Sequence, residues 1–348
     1  MANAYFTWFG PPASIPSDVS KQRKVAGIGA VRPDIFGVKL LAAGTFTDNP
    51  PPRIKFFCLR EYASAFRADL PNQVDVMPVE DQLPTKDFAS LSMTEPTLDN
   101  LGATVDFVLR ETFLIRMWGG SKVRFGEGGC PFNKLAFMKD MWSLYVLWKL
   151  GGYHLDCGCF PSGGAVSLPA PTTLGIVSIT ERGATPPHAR VTLDGRAAVC
   201  STISRGLGAL WQDGVLPAKP ANIGTSPMDQ MLDVWCMRSN ADSDAAKLAL
   251  EYWLRGWFAI RKAVVANKLP AKGELYAQAH RELVMTAVMT AATHSRPNRA
   301  CTDGGTWRQH VIPTQTVPLV VEGKSAGTRM TVPSLKLVKV GFQSHLVA

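Results

Sequence analysis

The chain has no window of about 18 uninterrupted apolar residues, the length a membrane-crossing helix needs, so no membrane span is expected. Its richest apolar stretch, 135–150, is broken by Lys139, Asp140 and Lys149. The opening residues, "MANAYFTWFGPPASIPSD", have no basic segment leading into an apolar one, so no secretory signal is expected either. Cysteine is sparse and odd in number: seven, scattered singly except for Cys157 and Cys159. That pattern does not make a disulfide framework, and a reducing, cytoplasmic setting is expected. Cys-x-Cys with no second close pair lacks the four ligands of a zinc site. Walker loops, G-x-G-x-x-G loops between a strand and a helix, internal repeats and RNA-module signatures are all missing.

What is present is a chain of 348 residues, 46% hydrophobic and 19% charged, long enough for one large domain or two smaller ones. Its net charge of +9 is lopsided. Residues 1–244 hold 23 basic and 23 acidic side chains, whereas 245–348 hold 14 basic and 5 acidic ones. The C-terminal third therefore carries the whole excess. It suits an anionic partner (nucleic acid, an anionic membrane surface or a phosphorylated acceptor) or is simply a solvated face.

Apolar periodicity and turn residues divide the chain into strands and helices. "NAYFTWFGPP" reads as a buried strand ending in a sharp turn, "RIKFFCL" (53–59) as a second strand and "QVDVMPV" (73–79) as a third. Residues 99–118 read as a helix, followed by a glycine-rich loop that carries Lys122 and Arg124. Asn133 is placed to cap the next helix, 134–150, which is apolar on most sides and so belongs inside the protein. Gly151 or Gly152 can take the left-handed conformation that ends it. "YHLDC" reads as a strand. Short β-like runs follow, then helical patterns at 227–268 and 273–293, with Trp235, Trp253 and Trp257 as core candidates. "VPLVVEGKSAGTRMTVPSLKLVKV" reads as a hairpin with "EGKSAG" as its turn. Strands separated by helical connections predict an α/β sheet.

Two carboxylates stand out. Asp140 falls in the apolar helix, where a lone carboxylate costs free energy unless paired with a cation or hydrogen-bonded. Asp156 closes the strand that follows, among cysteines and glycines. His154 alternates with Asp156 and reads as structural. Trp8 ends the first strand, where an aromatic is either core or a face for a base.

The register Lys139-Asp140, Gly151-Gly152, Tyr153-His154-Leu155-Asp156 resembles the sugar-binding region of the GT-A glycosyltransferases that carry a D-x-D motif, among them small hexosyltransferases and clostridial glucosylating toxins. "NKLAFMKD" and the opening "YFTWFGPP" are also similar to that family's pattern. The similarity is good over residues 4–12 and 133–161. It implies a GT-A-like, Rossmann-like mixed sheet flanked by helices, with a helical and β-hairpin C-terminal region. The expected division is 1–225, a nucleotide-sugar-binding core, and 226–348, a basic region packed on it and facing the acceptor.

The resemblance further implies transfer of a hexose from a UDP- or GDP-sugar, with retention of configuration, to an acceptor that is a glycan, lipid, protein or modified base in DNA. Asp140 would hold the sugar, Asp156 the ribose and sugar edge, and Trp8 the base, with Lys122 and Arg124 near the phosphates. Two departures stand out: Ser143 replaces the family's arginine, and Gly158 replaces the second aspartate of D-x-D. That second carboxylate ordinarily holds Mn²⁺ or Mg²⁺, hard cations that want oxygen ligands. Three readings therefore stay open: weak metal binding through Asp156, with His310 or His345 completing the shell; phosphate neutralisation by Lys or Arg; or a nucleotide-sugar-binding protein that has lost catalysis. Trp307 and Arg308, in "GGTWRQH", are acceptor-side candidates.

Overall fold

Residues 4–8, "AYFTW", are apolar on both faces, and such a strand is stable only between two layers. The computed structural model describes residues 2–10, 33–82, 104–105, 108–109, 135–172, 174–180, 230–265, 311–312, 315–321 and 324–341. There β1 (Ala4–Trp8) pairs in parallel with β2 (Ile54–Cys58), which pairs in parallel with β3 (Val74–Pro78). Two helices accompany these strands, α1 (Pro33–Ala42) and α2 (Arg60–Asp69). Successive side chains on the strands serve opposite layers. Phe56 meets Phe66 of α2 with ring centroids 4.8 Å apart. Its neighbour Phe57 meets Trp142 edge-on at 5.3 Å, on α3 (Leu135–Leu150).

Helix α3 is apolar nearly all round, and every residue from 140 to 147 is buried. It ends where expected. The Gly151 amide donates to the Leu147 carbonyl (3.1 Å), and Gly151 and Gly152 both have positive φ, 63° and 92°. A Cβ on Gly151 would lie 2.4 Å from the Ala241 amide nitrogen, and one on Gly152 2.5 Å from the Asn3 carbonyl oxygen. Only glycine fits this close approach. The turn lays β4 (Gly152–Leu155) parallel to β1 on the side away from β2.

The sheet continues with β7 (Gln230–Ser239), β6 (Gly175–Thr180) and β8 (Val311–Ile312), giving the order β3-β2-β1-β4-β7-β6-β8. Strand β7 is antiparallel to both its neighbours; the other pairings are parallel. The fold is thus the α/β class expected, a mixed sheet flanked by helices. A second, antiparallel sheet, β5-β11-β10-β9, contains β5 (Cys159–Pro161), β9 (Gln315–Val321), β10 (Lys324–Val332) and β11 (Leu337–Gly341).

Two sequence expectations need correction. Within the stretch expected to be helical, 227–268, Gln230–Ser239 form a strand, and the helix, α4 (Asp244–Val265), starts only after Ser243, whose Oγ accepts the Ala246 amide (3.3 Å). "QMLDVWCM" is mostly apolar, interrupted by Asp233, and so short a run cannot be told from a buried helix by periodicity; its pairing between β4 and β6 decides it. Trp235, Trp253 and Trp257 are core residues as expected. In the C-terminal hairpin, Lys324 to Gly327 belong to β10, with a register shift between Ser325 and Gly327, so the turn is shorter than "EGKSAG". The hairpin also gains a third strand, β11. Residues 273–293, the two β-like runs after Thr180 and most of 99–118 lie outside the described residues.

Candidate functional site

Strands β2 and β3 lie on one side of β1 and β4 on the other, so the chain changes direction across the sheet between β1 and β4. In open α/β sheets the crevice outside the carboxyl ends of the strands at such a point is where ligands bind. Thr7 and Trp8 end β1 there, and Asp156 follows the last residue of β4.

Asp156 is held from several directions. Its amide donates to the Trp235 carbonyl (2.8 Å), and its own carbonyl accepts the Cys159 amide (2.9 Å), closing the turn from β4 into β5. The Cys157 thiol, 3.7 Å from the Thr7 carbonyl oxygen, ties the turn to the end of β1. One carboxylate oxygen accepts from Lys139 of α3 and the other from Lys339 of β11. Lys339 arrives through strand register: it is opposite Cys159 in the β5–β11 pairing. Lys139 Nζ is also 3.8 Å from Asp140 Oδ1. The three side chains Lys139, Lys339 and Asp156 are 19%, 15% and 18% exposed, at the boundary of core and cleft.

The electrostatics are mutual. Burial pushes the Asp156 carboxyl up, but Lys139 and Lys339 outweigh it and hold the group well below the usual carboxylate range. Burial pulls Lys139 down, and Asp156 with Asp140 overcomes it, so the ammonium stays charged. Beneath them His154, fully buried, shares a 2.9 Å hydrogen bond between its Nε2 and Thr7 Oγ1. Burial and then the Lys139 charge push its pKa down to about 3, against the pull of Asp156. It is a buried, neutral imidazole.

The expected residues fall into three groups. Asp140 and Asp156 come together through Lys139. Trp8 ends β1 and is packed in part against the core. Lys122, Arg124, Trp307, Arg308, His310 and His345 lie outside the described residues. Ser143, where the family has arginine, is fully buried and donates to the Asp140 carbonyl (2.6 Å), a contact within the helix. Sequence reasoning missed Lys339. A lysine inside the apolar strand "LVKVG" is a signal, because a buried ammonium needs an anion.

The residues at Asp156 do not fit a hard divalent cation. Two ammoniums on the same carboxylate repel it. Gly158 offers no side-chain oxygen, although a Cβ there would meet nothing within 4 Å. Cys159 is a protonated thiol, its pKa raised well above the usual value by burial, and thiols are soft ligands. No cluster of three or more His, Cys, Asp or Glu suited to a metal occurs among the described residues. Cys58, Cys157, Cys159 and Cys236 are buried free thiols. Among the described residues no helix is long and apolar enough to cross a membrane.

No protein-family model matches this chain, and no curated protein matches it. Among solved structures it is similar to PaToxG glycosyltransferase, at a TM-score of 0.35 and 11% identity over 88% of this chain and 83% of that one. It is also similar to a transferase carrying two cysteine-to-serine substitutions, at a TM-score of 0.32 and 10% identity over 79% of this chain and 88% of the other. Likeness at this level carries no information on residues or chemistry.

Proposed function

We propose that the protein transfers a hexose from a nucleotide sugar, UDP- or GDP-linked, to an acceptor hydroxyl or amine. One observation carries the reading: Asp140 and Asp156, the two carboxylates of the sugar-binding register, both lie within ion-pair reach of Lys139, and Asp156 follows β4 where that strand runs parallel to β1. The buried Asp140 contacts sugar hydroxyls. Asp156 keeps lone pairs for a ribose or sugar hydroxyl even with both oxygens bonded, since a carboxylate has about four acceptor sites. In this reading the Trp8 ring stacks on the base, and Lys122 and Arg124, which precede α3 in the sequence, meet the phosphates.

In the reaction the bond from the anomeric carbon to the diphosphate oxygen breaks, the acceptor oxygen or nitrogen bonds to that carbon, and the acceptor's proton passes to the departing diphosphate. Catalysis rests on holding the donor in a reactive geometry and stabilising charge on the departing diphosphate. The acceptor is a glycan, lipid, protein or modified DNA base, and the basic C-terminal third favours an anionic one. Retention of configuration is part of the proposal.

A panel of UDP- and GDP-sugars, followed by chromatography for released nucleoside diphosphate, tests it. Slow donor hydrolysis without acceptor, reduced about a hundredfold or more in Asp140→Asn, is the expected result. Donor binding without any turnover would instead identify a binding protein on this scaffold. Salt-sensitive DNA binding would select the nucleic-acid acceptor, since phosphate contacts release counterions.

A further inference from the structure

We propose that Lys139 and Lys339 form a metal-free diphosphate site, with Asp156 the carboxylate that holds the two ammoniums together until the anion arrives. This rests on the nucleotide-sugar reading only for the identity of the natural ligand. The anion site itself follows from the contacts.

The two ammoniums come from separate elements, α3 and β11, and each takes one oxygen of the same carboxylate. Such convergence keeps two positive charges side by side, which a lone pair of lysines would resist through repulsion. A diphosphate offers a row of anionic oxygens, and a lysine ammonium has three donors, so each lysine can add a phosphate oxygen without leaving Asp156. The two lysine side chains are 19% and 15% exposed, and their partial burial strengthens each contact over its value in water. The pair thus supplies the positive charge that a divalent cation supplies in D-x-D enzymes, at a carboxylate whose partners repel such a cation. Gly158 then has a simple meaning: with lysines in place, no second carboxylate is needed, and one would compete with the phosphate.

Pyrophosphate, which has neither base nor sugar, is the probe. Its binding to the full chain is measured by calorimetry in EDTA and in Mn²⁺, for wild type, Lys139→Gln, Lys339→Gln, Lys339→Arg and Asp156→Asn. Wild type should bind equally in both buffers. Either Gln variant should lose about ten- to a hundredfold in affinity, the worth of a charge-assisted hydrogen bond. Lys339→Arg should keep most of the affinity. Asp156→Asn should bind pyrophosphate more tightly than wild type, because the anion no longer shares its two cations with a carboxylate. Wild-type binding in EDTA, lost in the Gln variants, is what separates an anion site from bridges that are only structural, since lysines freed in Asp156→Asn would attract an anion in either case.

Binding that needs Mn²⁺, absence of pyrophosphate binding, or loss of affinity in Asp156→Asn would each overturn the proposal. So would wild-type affinity in a folded Gln variant. If a Gln variant fails to fold, metal-indifferent wild-type binding that Lys339→Arg keeps decides for the site, and wild-type protein that does not bind decides against it. Pyrophosphate binding on these terms without nucleotide-sugar binding would sink glycosyl transfer and leave the anion site standing. Mn²⁺-dependent donor binding, indifferent to both lysines, would do the reverse.

Discussion

The two ends of β4 are four residues apart and are built on opposite principles. At its start, Gly151 and Gly152 are fixed by what they lack: positive φ and backbone atoms within 2.5 Å of any added Cβ leave room for hydrogen alone. At its end, Asp156 is fixed by what it attracts, a lysine from a helix and another from a second sheet. The first end is a packing joint that sets where the strand runs. The second is a charged junction whose parts can exchange partners. A chain that uses rigid backbone contact to position a strand can afford polar adaptability at the tip, where a ligand has to be met.

Substitution at the rigid end should have the largest effect. Gly152→Ala drives a methyl into the Asn3 carbonyl at a backbone conformation alanine rarely adopts, and should cost about 3–5 kcal/mol in denaturant unfolding. An unchanged midpoint would show that the α3–β4 joint is softer than described.

At the charged end, Asp156→Ala leaves two ammoniums facing each other, partly buried, and should cost about 2–3 kcal/mol, less than a fully buried pair because solvent reaches all three groups. Double-mutant cycles with Lys339→Ala should reveal coupling; strict additivity would mean the bridge does not form.

His154, beneath the junction, makes a pH prediction. Its folded pKa, about 3, is below the ordinary value of about 6.5, so the unfolded chain binds a proton that the folded one refuses. Stability from this group is present above pH 6.5 and falls as the pH drops toward 3. Asp156, with its depressed pKa, adds to the loss at the acid end of that window. In His154→Gln the loss between pH 7 and 4.5 should shrink by about 2 kcal/mol. Parallel curves for variant and wild type would refute a buried neutral imidazole.

Gly158→Asp should change least, within about 0.5 kcal/mol, because its side chain enters open space. It also sharpens the contrast with D-x-D enzymes: on the lysine account the new carboxylate weakens pyrophosphate binding in EDTA, whereas a latent metal site would gain Mn²⁺ affinity.

Much of the rigid end was legible in the sequence. Apolar runs bounded by Gly and Pro located β1, β2, β3, α3 and β4, and the Gly-Gly pair predicted the helix end, because these signals are local. The identity of β7 was hidden because a buried run suits a helix or a strand until its neighbours are known. The charged end was half legible: Asp140 and Asp156 stood out as carboxylates in apolar settings, but Lys339 is 183 residues from Asp156 and reaches it only through the β5–β11 register. No periodicity reports a contact of that kind. His154 was read as structural and is buried in β4; burial, and then the charge of Lys139 on the helix just before that strand, depress its pKa.

The most direct test of the central claim is calorimetric titration of the full chain with UDP- and GDP-sugars, in EDTA and again in Mn²⁺, comparing wild type with Asp140→Ala. The account predicts donor binding that is indifferent to metal and lost or weakened at least tenfold, about 1.4 kcal/mol, in the variant. Absence of binding by any nucleotide sugar in either buffer would contradict it.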